Sequence, residues 1–152
     1  MLGVTVDYSP PLSTKLRQID PFFFQGGDPC TNAFLYFSFL DTPSSIFARE
    51  GKRTESHVCQ ILISYPYRDG FLGKEAFDPP ASNPDRVKLM KQIGQNWANP
   101  FNEMVTQIPD DSEVKVLHLE DWVPKADLWR SQPGRVTLVG DAAHPMTMCK
   151  LI

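Results

Sequence analysis

No apolar run approaches the roughly 18 residues that a membrane-spanning helix needs, so this 152-residue chain gives no reason to expect one. Basic charge is not in excess either. Fifteen Lys and Arg against eighteen Asp and Glu leave a net charge of -3, which offers no matching surface to nucleic acid or an anionic membrane. Cysteines are few and odd in number: Cys30, Cys59 and Cys149 stand far apart. That pattern predicts reduced thiols filling a core, not a disulfide framework. His57, His118 and His144 show no metal-ligand spacing, and His57-Val58-Cys59 is a lone pair with no second pair to complete a tetrahedral site. No metal is expected. A Gly-x-Ser-x-Gly elbow is missing, which argues against an unrelated α+β hydrolase. Met1 to Asp7 lacks the basic start and long apolar centre of a secretory signal, so the chain reads as cytoplasmic.

What is present describes a foldable domain. Hydrophobic residues make up 41% and charged residues 22%, the balance of a globular chain and not of a disordered one. A chain of this length buries roughly two-thirds of its unfolded surface. Fourteen prolines and nine glycines predict many turns and short elements.

Leu2 to Val6 reads as a strand broken by Pro10-Pro11, and Leu12 to Ile19 as a helical turn ended by Asp20-Pro21. Phe22-Phe23-Phe24 reads as a strand entering a turn at Gln25 to Pro29, its aromatics destined for the core. Ala33 to Leu40 is the firmest strand of the first half. Its alternation sets Phe34, Tyr36 and Ser38 against Leu35, Phe37 and Phe39. Ile46 to Arg49 predicts a short helical turn. His57 to Tyr65 is a second firm strand, Val58, Gln60, Leu62 and Ser64 opposing Cys59, Ile61, Ile63 and Tyr65. Large groups on both faces predict a sheet that is covered or lines a pocket. Tyr67 to Gly73 is a turn.

Ser82-Asn83-Pro84-Asp85 is a helix start, with a polar cap, an early proline and an acidic first turn. Val87, Met90, Ile93 and Trp97 follow at helical spacing, and the helix should end before Asn99-Pro100. Phe101, Met104, Val105 and Ile108 predict a second, shorter helix stopped by Pro109. Asp110 and Asp111 fit a solvated turn, and Lys88 and Lys91 a wet helix face. Glu113 to Leu119 reads as a third strand; its His118 has no visible carboxylate or nucleophile partner and is taken as satisfied or exposed.

The most informative stretch is Gly134-Arg135-Val136-Thr137-Leu138-Val139-Gly140-Asp141-Ala142-Ala143-His144-Pro145. Val136 to Val139 suit a strand covered on both faces. Gly140 allows a sharp turn or close approach of a ligand. The Asp141 carboxylate accepts hydrogen bonds from hydroxyls, and Ala142 and Ala143 leave room beside it. A helix starting here would aim free N–H groups at the same place.

This stretch resembles the second flavin-binding motif of the FAD-dependent aromatic hydroxylases, the group containing para-hydroxybenzoate hydroxylase and kynurenine 3-monooxygenase. There a strand runs into Gly-Asp-Ala-Ala-His-Pro-Met, and the aspartate binds the ribityl chain of FAD. The resemblance implies that Gly140, Asp141, Ala142 and Ala143 contact FAD, with Asp141 as the ribityl anchor. Trp129 also matches a tryptophan that commonly precedes that strand. The implied fold is α+β: a mixed or antiparallel substrate-domain sheet with helices packed on it over residues 1–132, then a strand and turn of an incomplete FAD-binding domain over residues 133–152. In an intact member NAD(P)H reduces FAD, oxygen adds to the reduced flavin, and the resulting hydroperoxide hydroxylates a small, often aromatic, organic substrate. Phe34, Tyr36 and Tyr65 would supply one wall of that substrate's pocket.

Other family parts do not occur in these residues. There is no Gly-x-Gly-x-x-Gly for the ADP half of FAD, and Arg68-Asp69-Gly70 lacks the serine and arginine of the family's Asp-Gly motif. Met148 stands where many relatives have proline. The expectation is an internal fragment of a flavoprotein hydroxylase, inactive by itself. The alternative is a remnant that acts at most as an apolar-ligand-binding or interaction module. Oligomeric state is not legible.

Overall fold

A computed structural model of the protein describes residues 1–118 and Gly140. Met1–Leu117 form one compact unit, separate from His118–Ile152. The expected division after residue 132, the strand at Val136 to Val139 and Trp129 all lie outside the described residues.

Within the first unit the order is β1 (Leu2–Tyr8), α1 (Pro10–Arg17), β2 (Phe23–Gly27), β3 (Phe34–Asp41), α2 (Pro43–Glu50), β4 (His57–Ser64), α3 (Asn83–Gly94), α4 (Phe101–Thr106) and β5 (Lys115–Val116). The strands form one open sheet in the order β2-β3-β4-β1-β5. Every pairing is antiparallel. Helices complete an α+β fold, as the sequence predicts.

Register follows the apolar alternation, because a slip by one residue would turn each buried side chain to the other face. Val4 sits opposite Ile61 and Val6 opposite Cys59; Leu35 sits opposite Ile63 and Phe37 opposite Ile61. These residues join Leu12 and Leu16 of α1, Val87, Met90 and Ile93 of α3, and Met104 and Val105 of α4 in one core. Phe37 is stacked on Phe24, ring centres 4.7 Å apart, and meets Phe39 edge-on at 4.9 Å. Full burial of each such side chain is worth about 1.5–3 kcal/mol.

Four expectations change in detail. Pro10 and Pro11 open α1 instead of standing outside it, since proline's missing N–H would have no helical partner there anyway. β2 continues through Gln25, Gly26 and Gly27, all paired with β3. Of the three aromatics only Phe24 is core; Phe22 is 72% exposed and Phe23 52%. β5 shrinks to two residues paired with Leu2 and Gly3, because just before it the Val114 N–H donates to Asn83 Oδ1 and the Val114 carbonyl accepts from Arg86, both on α3.

The helix ends behave as their sequences demand. Thr42 and Ser45 make a reciprocal capping box for α2, which Gly51 ends at φ 68°. Ser82 caps α3 by accepting from the Asp85 N–H at 3.3 Å, while its hydroxyl donates to the Asp85 carboxylate at 2.5 Å. Gly94, the last residue of α3, lies against α4 so closely that a Cβ there would stand 2.8 Å from Val105 Cβ.

Candidate functional site

Strand alternation gives the sheet two unlike faces. Leu2, Val4, Val6, Leu35, Phe37, Ile61 and Ile63 point into the helix-backed core. Thr5, Asp7, Phe34, Tyr36, Ser38, Gln60 and Leu62 occupy the opposite face by register, and none of them belongs to that core. This second face mixes hydroxyls, an amide, a carboxylate and aromatic carbon. Phe23 lies on it too, its ring stacked on Tyr36 at 6.2 Å.

A groove of about 350 Å³ crosses this face between β4, β1 and β5, lined by Gly3, Thr5, Gln60, Leu62, Lys115 and Leu117. Gly3 keeps it narrow. A Cβ at that position would come within 2.9 Å of Leu62 Cδ2 and 3.2 Å of Leu117 Cδ1. A second cleft, also about 350 Å³, opens on the helix side of the sheet beside Trp97.

Phe34 and Tyr36 share the mixed face, but Tyr65 does not join them. Its ring is stacked on Phe71 at 5.2 Å and on Phe77 at 5.3 Å, packed against the core. The reason is parity: Tyr65 follows Ile61 and Ile63 on the inward side. Its hydroxyl is buried without a partner, and burial, followed by the nearby Asp78 charge, raises its pKa.

The remaining titratable candidates separate by environment. His57 stands inward at the end of β4, edge-on to Phe39 at 5.8 Å, its Nδ1 buried without a hydrogen-bond partner. Desolvation, aided by Arg17, lowers its pKa and favours the neutral ring. His118 is exposed. Cys59 is fully buried, and burial pushes its thiol up to about 12, so it packs as a small apolar group. Cys30 departs from the expected core role. It lies exposed in the β2–β3 connection, where Asp28 accepts the Cys30 N–H at 2.9 Å and organises a turn. Among the described residues no cluster of His, Cys, Asp or Glu is arranged to hold a metal ion. None of their helices is long and apolar enough to cross a membrane.

Arg68-Asp69-Gly70 is a turn. Gly70 takes φ 87°, and Asp69 accepts the Ala76 N–H at 2.8 Å. Of the motif residues, Gly140 is exposed with φ 59°, a left-handed conformation that glycine takes without steric cost. Among the described residues, a Cβ built there would meet nothing within 4 Å. Asp141, Ala142 and Ala143 lie outside the described residues.

No family model and no solved structure matches the chain. Curated proteins do. It is 42% identical over 149 residues to a probable FAD-dependent monooxygenase of Arthroderma benhamiae, covering 97% of this chain and 34% of that protein. It is 39% identical over 148 residues to the FAD-dependent monooxygenase tazP of Aspergillus terreus, 97% of this chain and 36% of the relative. With the FAD-dependent monooxygenase dbaB of Emericella nidulans the identity is 34% over 146 residues, 96% of this chain and 35% of the relative. Over nearly its whole length, then, the chain is homologous to FAD-dependent monooxygenases, and it spans about a third of the length of these relatives.

Proposed function

We propose that this chain is a segment of an FAD-dependent, NAD(P)H-using monooxygenase that hydroxylates a small, aromatic organic substrate. The observation that carries the proposal is the alignment of 97% of the chain at 42% identity with a protein named as a probable FAD-dependent monooxygenase. Bound FAD, reduced by NAD(P)H, activates dioxygen; the protein supplies position, dryness and electrostatics.

The division of labour follows from the residues. Residues 1–132 form the substrate-binding part, and residues 133–152 contribute a strand and turn to the flavin-binding part. Gly140 turns the backbone, Asp141 accepts hydrogen bonds from the ribityl hydroxyls, and Ala142 and Ala143 keep the approach clear. The left-handed glycine at φ 59° fits such a corner. Phe34 and Tyr36 present flat carbon to an aromatic ring, while Ser38 and Gln60 can orient its polar substituents. With no Gly-x-Gly-x-x-Gly among the 152 residues, the ADP half of FAD has no cradle here, so these residues by themselves bind FAD poorly and are inactive.

The test is the complete reading frame that holds this stretch, purified and supplied with NADPH, labelled dioxygen and a panel of phenolic acids. One labelled oxygen atom in an aromatic product supports the proposal. A flavin-free protein that consumes no NAD(P)H with any of them overturns it, and favours an inactive remnant that binds apolar ligands or partners.

A further inference from the structure

The helix side of the sheet carries a feature that the flavin reading does not use. β2 places Phe24 inward opposite Phe37, and two residues later the inward position is Gly26, opposite Leu35. Core alternation calls for a large side chain there. Instead, among the described residues, the space beside Gly26 is empty: a Cβ there would meet nothing within 4 Å. The missing side chain leaves an open cleft of about 350 Å³.

Glycines inside a strand weaken it and often mark places where a ligand or another backbone comes close. The walls here are aromatic and aliphatic: Trp97 from the segment after α3, Phe101 from α4 and Leu35 from β3. Phe101 is braced edge-on by Phe24 at 5.6 Å. The volume lies at the small end of ligand-binding pockets. Among the described residues Asp28 is the one charged group in the lining. It accepts from the Thr31 hydroxyl at 2.5 Å, the Cys30 N–H at 2.9 Å and Trp97 Nε1 at 3.4 Å. Those donors hold its pKa below the ordinary carboxylate value, the Thr31 bond contributing most.

We propose that this cleft is a binding site for a flat aromatic molecule, neutral or carrying a cationic side arm, whose ring takes the place of the side chain missing at Gly26, against Trp97 and Phe101. The cationic arm reaches Asp28, and an anionic arm is disfavoured by the same carboxylate. The site lies on the opposite side of the sheet from the Tyr36 face and needs no flavin.

The probes are naphthylmethylamine and naphthoate, which share a ring system and differ in charge. Each is titrated into the 152-residue chain by NMR, following the Trp97 indole N–H, assigned with Trp97→Phe. The expected result is a saturable shift of that resonance, with the amine binding roughly tenfold tighter than the carboxylate. Gly26→Leu should fill the cleft and abolish the shift, while the amide spectrum of the sheet stays dispersed. Asp28→Asn, which retains the turn's acceptor oxygen, should bring the two probes to similar affinity. A Trp97 resonance that moves with neither probe, unchanged binding in Gly26→Leu, or naphthoate binding as tightly as the amine in the unmodified chain would each overturn the proposal. None of these results bears on FAD.

Discussion

The Tyr8 hydroxyl, at the end of β1, donates a buried hydrogen bond to the Met104 carbonyl of α4, 96 positions away in sequence. It ties the sheet to the last helix turn, where backbone carbonyls have lost their intrahelical partners. Burial raises the Tyr8 pKa well above its ordinary value, with Cys59 adding a smaller effect, so the phenol stays neutral and able to donate.

Tyr8→Phe keeps the ring in the core and removes only the donor. Leaving a buried carbonyl unsatisfied costs about 1–3 kcal/mol. Urea denaturation should show a lower midpoint with an unchanged slope, because the surface exposed on unfolding is the same. An unchanged midpoint would mean that the carbonyl finds another partner.

Gly94→Ala sets two effects against each other. Alanine is favoured over glycine in a helix by about 1 kcal/mol. The added carbon, however, would lie 2.8 Å from both Cβ and Cγ1 of Val105, a fully buried, β-branched residue that cannot swing aside. Overpacking of this kind costs typically about 1–3 kcal/mol, so the clash prevails and the variant should be destabilised. Gly94→Ala combined with Val105→Gly, which removes both contacted carbons, should show a favourable coupling in a double-mutant cycle. Additive effects would place the strain elsewhere.

His57 predicts a dependence on pH. Its folded pKa is depressed by desolvation and then by Arg17, so the unfolded chain binds the proton more readily than the native one. Stability from this group is therefore complete above the unfolded value of about 6.5 and is lost as pH falls from there toward the folded pKa. The urea midpoint should decline over that window in the unmodified chain and less steeply in His57→Phe. Equal slopes for the two proteins would remove His57 from the account.

Much of this architecture was legible because it depends on local pattern. β3 and β4 alternate apolar residues over long enough runs to fix both faces, and Ser82-Asn83-Pro84-Asp85 starts α3 where caps and proline dictate. Properties set by distant partners were not legible. The two-residue length of β5 depends on Asn83 and Arg86 of α3 taking the backbone of Val114, and the exposure of Phe22 and Phe23 depends on β2 being the sheet's edge. Residue type groups Tyr65 with Phe34 and Tyr36, although its parity with Ile61 and Ile63 assigns it to the core. The cleft beside Trp97 had a sequence signal as well, since Gly26-Gly27 interrupts an aromatic strand where a side chain was due. Cys30 carried none that spacing could supply. The Gly140 to Ala143 motif was recognisable as a sequence pattern, of which Gly140 alone falls among the described residues.

The central claim is that Asp141 grips the ribityl chain of FAD, and flavin affinity measures it most directly. In the complete protein that holds this stretch, equilibrium dialysis against FAD should show Asp141→Ala weakening binding by at least tenfold, the equivalent of about 1.4 kcal/mol for one lost charge-assisted contact. Asp141→Asn, which keeps an acceptor oxygen, should fall between the two. Equal FAD affinity in all three proteins would contradict the assignment of the Gly140 to Ala143 corner to the flavin.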